Sequence, residues 1–213
     1  MTRNIADIRR DYEGGRLDED QAIDDPMALF DEWLTLALET EGIDANAMTL
    51  ATVDSQGLPH ARVVLLKGLD QRGLVFYTNY HSHKGSELTN VPHAALVFWW
   101  PSVSRQVRLE GRVERISDSE SDAYFASRPR SSQLSAWIAT QSVLIPNRTW
   151  IEERERRFER AYKGQEIPRP IHWGGYRVIP HMIEFWQGQP SRLHDRIRYE
   201  LRDVTWRHFR MAP

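Results

Sequence analysis

Ser104-Arg105-Gln106-Val107-Arg108-Leu109-Glu110-Gly111-Arg112-Val113-Glu114-Arg115-Ile116 alternates strictly, with Val107, Leu109, Gly111 and Val113 on one side and charged or amide groups on the other. A period of two is that of a β-strand with one face buried. Working outward, Ala94 to Trp100 is a nearly continuous apolar run, as in a strand buried on both faces. Met48–Val53, Ala61–Leu66 and Leu74–Thr78 are further short β-prone runs. The turns Asp54-Ser55-Gln56-Gly57 and Asp70-Gln71-Arg72-Gly73 punctuate them. Closely spaced strands with regular turn signals predict a β-barrel.

Helical periodicity flanks this region. Asp25-Pro26 supplies an N-cap and a first-turn proline. Leu29, Phe30, Trp33, Leu34, Ala37 and Leu38 then recur at helical spacing until Gly42, a stripe read as core packing. Ser82–Leu88 reads as a short helix. Ser117 with Glu120 three residues on is a capping-box spacing that opens a helix over 117–127. Helices over 132–139 and 150–162 follow. Pro168 and Pro170 break the chain before four short strands at 176–178, 182–186, 196–201 and 205–209. Periodicity alone therefore predicts an α+β, mainly β, barrel. Residues 1–23, polar with Gly14-Gly15, read as a mobile segment, and 24–213 as one domain.

The chain has 213 residues, 40% hydrophobic and 27% charged, with a net charge of −2. A near-neutral surface without a basic stripe argues against nucleic acid as a partner. With no cysteine there are no disulfides, thiolate nucleophiles or iron–sulfur ligands. The N-terminus has no apolar targeting region and no window is apolar enough to span a membrane, so a cytoplasmic protein is expected. His81-x-His83, His172 and His181 lack accompanying carboxylates at metal-ligand spacing, and no metal site is expected.

The segment Trp186-Gln187-Gly188-Gln189-Pro190-Ser191-Arg192-Leu193-His194-Asp195-Arg196 carries chemistry. On an extended strand, Arg192, His194 and Arg196 would share one face. That trio is poor core material and reads either as a solvated edge strand carrying charges or as a face for a planar, anionic ligand. No P-loop or Gly-rich dinucleotide fingerprint is present, so a phosphate would be held by side chains. Only three lysines occur, Lys67, Lys84 and Lys163.

This segment closely resembles the C-terminal signature of the pyridoxine (pyridoxamine) 5'-phosphate oxidases. Ile8-Arg9-Arg10-Asp11-Tyr12, Arg62–Lys67, Phe76–Asn79, Ser104–Arg108, Tyr124–Arg130, Gln141-Ser142 and Phe209–Pro213 resemble the same family in the same order. The resemblance implies an FMN-binding split β-barrel with flanking helices, a homodimer holding FMN at the subunit interface. It implies oxidation of pyridoxine or pyridoxamine 5'-phosphate to pyridoxal 5'-phosphate. A hydride would pass from C4' to the flavin, and O2 would be reduced to hydrogen peroxide. FMN would be held by Arg62, Val63, Val64, Leu65, Leu66, Lys67, Tyr77, Thr78, His83, Lys84, Gln106, Gln141, Ser142, Trp186 and Arg196. Substrate would be held by Arg9, Tyr12, Lys67, Tyr124, Arg128, Ser132, Arg192 and His194. Of these, Arg192 and His194 would act at the reacting face as the catalytic residues. The chain departs from the family at His83, where an arginine is usual, which implies weaker or more pH-dependent FMN binding if that arginine meets the phosphate. Alternatives are a split-barrel flavoprotein with another substrate, and a non-catalytic flavin- or pyridoxal phosphate-binding protein. Arg62 and Lys67 are five apart, so a regular strand would send them to opposite faces. A bulge, a strand end or a second subunit must intervene if both serve one site.

Overall fold

The computed structural model describes residues 4–7, 11–12 and 14–213. Arg9 lies outside the described residues. Among the described residues nine strands form one largely antiparallel sheet: β1 (Ala47–Val53), β2 (Pro59–Leu65), β3 (Gly68–Asp70), β4 (Gly73–Asn79), β5 (His93–Trp100), β6 (Arg105–Arg115), β7 (Trp173–Gln187), β8 (Asp195–Arg202) and β9 (Thr205–Arg210). Their order is β2-β1-β5-β6-β7-β4-β3, with β8 added on β7 and β9 on β8. Among the described residues five α-helices accompany them: α1 (Pro26–Glu41), α2 (His83–Asn90), α3 (Asp118–Ser127), α4 (Arg130–Ile138) and α5 (Arg148–Ala161).

The chain divides into two compact units. The first comprises residues 1–50, 95–111 and 180–213. Here α1 starts where the sequence places it: the Asp25 carboxylate accepts from the Met27 N–H at 2.9 Å, and Pro26 occupies the first turn. The aromatic stripe is core, since Phe30 is fully buried 5.0 Å from the Phe98 ring and Trp33 meets Phe185 edge-on at 5.1 Å. The helix ends at Gly42, whose φ of +68° suits a residue without Cβ.

The second unit comprises residues 51–94 and 112–179. The capping box at Ser117 is present: its hydroxyl accepts from the Glu120 N–H while Glu120 accepts from the Ser117 N–H. Glu120 also takes a bond from buried Arg177 at 3.3 Å, and Arg177 reaches Asp70 at 2.6 Å. Helix α2 sits close against the chain before it. A Cβ on Gly85 would fall 2.1 Å from the Tyr80 carbonyl oxygen, so only glycine lets this helix start where it does.

Two expectations need correction. The separate strands foreseen at 176–178 and 182–186 are one fifteen-residue strand, β7. It pairs with β4 as far as Val178 and with β8 from Met182 on. Pro180 thus falls between the two pairings, where its missing N–H leaves neither ladder incomplete. The segment 192–196 is not one extended strand. A 3-10 turn covers Pro190–Arg192, Ser191 and Arg192 have φ of +55° and +61°, and β8 begins only at Asp195.

Candidate active site

The expected site residues of the second unit fall into two adjoining groups. Lys84 is in the first turn of α2, whose N-cap Ser82 accepts from the Gly85 N–H. The Lys84 ammonium is buried and donates to Thr78 Oγ1 at 3.3 Å. Thr78 in turn donates to Gln141 Oε1 at 3.1 Å, joining the end of β4 to the loop after α4. No ion pair to Lys84 exists among the described residues. Burial, then the nearby Arg62 charge, push its pKa down, while Glu87 pulls it back up. A buried ammonium held by a hydroxyl rather than a carboxylate is a donor set suited to an anion.

Arg62 projects from β2 into a network that the sequence did not announce. Its Nη1 donates to Thr52 Oγ1, and its Nη2 donates to Glu87 Oε2 at 3.1 Å. Thr52 donates to the same Glu87 oxygen, and His60 Nδ1 meets the other. Burial would raise the Glu87 pKa, but the bonds from Thr52 and His60 and the charge of Arg62 outweigh it and hold the carboxyl below its usual range. Lys67 stands exposed just beyond the end of β2, its N–H bonded to the Val75 carbonyl at 2.8 Å. The strand end therefore releases Lys67 from the alternation that governs Arg62. Val63 and Leu65 are exposed, Val64 is half-buried and Leu66 is buried.

The second group is aromatic. Tyr77 and Tyr124 stack with ring centroids 3.9 Å apart and planes 16° from parallel, and Trp173 stacks beyond at 5.4 Å from Tyr77. Arg128 lies over Trp173 at 4.5 Å. Its Nη1 is buried with no hydrogen-bond partner, and burial lowers its pKa. Such an unpaired charged donor is costly unless a ligand completes it. Tyr77, Thr78, Arg128, Gln141 and Trp173 line one cavity of about 190 Å³. Tyr124 and Arg128 do not share a helical face. Helix α3 ends at Ser127, and Arg128, which precedes Pro129, is extended (φ −71°, ψ 148°). Ser132 is half-buried in the first turn of α4, and Ser135, one turn on, lines the cavity instead. Ser142 is exposed with φ +66°, and His83 is exposed at the start of α2.

The first unit holds the remaining residues. Trp186 is the penultimate residue of β7, and its ring lies 4.5 Å from His194. Tyr12 meets both edge-on, at 5.5 Å from Trp186 and 5.3 Å from His194. A Cβ on Gly188 would fall 2.8 Å from the Tyr12 ring, so a glycine there admits the phenol. Gln189 and Asp195 tie down the segment after Tyr12, through the Gly15 carbonyl at 2.7 Å and the Leu17 N–H at 3.1 Å. His194 Nδ1 accepts the Gln189 N–H at 3.1 Å, which places the proton of the neutral ring on Nε2. Burial, then Arg192, lower the His194 pKa. Arg192 is exposed on the left-handed turn. Arg196 bonds buried Glu184 at 3.0 Å and the Ala212 carbonyl at 2.8 Å. Gln106 is half-buried on β6.

Sequence reasoning missed Thr52, His60, Glu87 and Trp173. Their only advance signal was polarity or bulk inside otherwise regular strands and a short helix.

Residues 35–159 match the family described as pyridoxamine 5'-phosphate oxidase, and 173–213 match the pyridoxine 5'-phosphate oxidase C-terminal dimerisation region. The chain is 65% identical to a pyridoxine/pyridoxamine 5'-phosphate oxidase of Chromohalobacter salexigens, over all of both chains. It is 54% identical to the Synechocystis sp. protein of that name, over 99% of this chain and 98% of the relative. Among solved structures, PhzG from Burkholderia lata, in complex with tetrahydrophenazine-1-carboxylic acid, superposes with a TM-score of 0.88 at 28% identity, over 94% of this chain and 99% of that one. A pyridoxamine 5'-phosphate oxidase-related, FMN binding protein from Nostoc punctiforme shares the fold at 18% identity and a TM-score of 0.69, over 86% and 97% of the two chains. The fold class is thus the mainly antiparallel, split-barrel type that the sequence implied. Among the described residues no helix is long and apolar enough to cross a membrane.

Proposed function

The chain belongs to the pyridoxine/pyridoxamine 5'-phosphate oxidase family, and from that premise we propose that it oxidises pyridoxine 5'-phosphate and pyridoxamine 5'-phosphate to pyridoxal 5'-phosphate as an FMN-dependent oxidase. The alcohol consumes one O2 and yields one hydrogen peroxide. The amine also consumes one water and releases ammonia. The observation that carries the reading is a pair of cationic groups in the second unit, the buried Lys84 ammonium and the buried Nη1 of half-buried Arg128, for which no ion pair exists among the described residues.

The residues present fit FMN. Lys84, Thr78, Arg62 and Gln141 form a donor-rich set suited to its phosphate and polar edge. Bound FMN supplies the acceptor for a hydride from the substrate and returns the electrons to O2. Everything else falls to the chain. The unpaired Nη1 of Arg128 takes the substrate phosphate, with Lys67 and the phenol of Tyr124 as further donors. Burial raises the pKa of both Tyr77 and Tyr124, which keeps them neutral donors at working pH. His194 offers an N–H from Nε2, and Arg192 adds positive charge at the pyridine ring. Tyr12 closes over that ring and excludes water. His194 and Arg192 orient and stabilise charge, and neither is assigned as an obligatory base.

A homodimer is the family's assembly, supported by the matched dimerisation region. Placing FMN at the subunit interface, a single domain over 24–213 and a cytoplasmic site of action are part of this proposal. The test is stoichiometry. Purified protein loaded with FMN should form pyridoxal 5'-phosphate from either substrate with one O2 consumed per product. Flavin binding without turnover would favour a carrier role and refute the reading.

A further inference from the structure

The flavin reading leaves a buried acid of the second unit unused. Glu87 is 6% exposed, yet it sits among cations in the part of the second unit assigned to a dianion. It lies one turn after Lys84 on α2, so the same helix presents an ammonium and a carboxylate on neighbouring positions. Both carboxylate oxygens are engaged: Oε1 by His60, and Oε2 by Thr52 and by Arg62 at 3.1 Å. Thr52 is itself buried and bonds the other terminal nitrogen of Arg62. Arg62 is therefore gripped at both ends of its fork from β1 and α2.

We propose that Glu87, acting with Thr52, is a positioning residue that holds the Arg62 guanidinium ready for the flavin phosphate. The inference rests on the reading of Arg62 and Lys84 as phosphate ligands. One carboxylate against two cations leaves the cluster net positive, so it attracts a dianion while easing the repulsion between Arg62 and Lys84 in the empty protein. Fixing a long side chain beforehand removes an ordering cost that binding would otherwise bear.

Riboflavin, which lacks the phosphate, separates positioning from a merely structural role. Apoprotein is titrated with FMN and with riboflavin, following the quenching of flavin fluorescence. Glu87→Gln should weaken FMN binding about tenfold, equivalent to the loss of one charge-assisted hydrogen bond, and leave riboflavin binding within about twofold. Thr52→Val should move the ratio the same way and serves if Glu87→Gln does not fold. Equal losses for both flavins, or no loss for either, overturn the proposal. Arg62→Ala tests the premise separately. Selective loss of FMN in that variant with none in Glu87→Gln sinks the positioning role alone. Unchanged FMN binding in Arg62→Ala removes the phosphate reading as well.

Discussion

Arg128 lies 4.5 Å over the Trp173 ring while its Nη1 is buried without a partner. The ring attracts the guanidinium, and the unpaired nitrogen is what a phosphate oxygen would satisfy. Arg128→Gln should raise KM for pyridoxine 5'-phosphate by about tenfold to a hundredfold, the range for a lost hydrogen bond to a charged group. FMN affinity should stay within about twofold. Steady-state kinetics and flavin titration of the same preparation check this, and a matching loss of flavin would show that Arg128 serves the cofactor.

The Tyr77–Tyr124 stack makes a second prediction, because ring and hydroxyl contribute separately. Tyr124→Phe keeps the 3.9 Å stack and removes only the donor. Its melting temperature should be unchanged and its KM raised. Tyr124→Ala also removes the ring, at a cost of about 2–4 kcal/mol for a half-buried aromatic. Calorimetry of the two variants distinguishes them, and equal stability would mean that the stack contributes nothing.

His194 carries a pH prediction. Burial first, and the Arg192 charge second, hold its pKa below the ordinary histidine value. The folded protein therefore favours the neutral ring. The stability this contributes is present above the unfolded value of about 6.5 and is lost as pH falls through the folded one. Histidine NMR should give His194 a midpoint below about 6.5, and Arg192→Gln should raise it while leaving it depressed. A wild-type midpoint at or above the ordinary value would contradict the burial argument.

Glu184 is 4% exposed and paired with Arg196 at 3.0 Å. Glu184→Gln leaves the guanidinium with a neutral partner and should cost about 1–3 kcal/mol, discounted because Arg196 is partly solvated. Denaturant unfolding reads it, and an unchanged midpoint would show that Arg196 relies on the Ala212 carbonyl alone.

Much of this architecture was legible because its signals are local. Asp25-Pro26 and the Ser117–Glu120 box name helix starts through backbone bonding that any chain must satisfy. The alternation over 104–116 fixes a strand through its pleat. Where tertiary context decides, the reading failed. Spacing of two made Arg192, His194 and Arg196 look like one strand face, but Pro190 opens a turn and two residues take positive φ. The runs 176–178 and 182–186 looked like two strands, because nothing local shows that one strand, β7, changes partners between them. The site was legible mainly as a family pattern of donors. The pairing of Glu87 with Thr52, His60 and Arg62 joins residues up to 35 positions apart, and no periodicity announces it.

A flavin held by this chain should take two electrons from a phosphorylated pyridine. The most direct measurement is the absorbance of the FMN-loaded protein under strict exclusion of oxygen, on adding pyridoxine 5'-phosphate. The flavin band should bleach and should recover when air is admitted. An unchanged spectrum with FMN demonstrably bound would contradict that electron transfer.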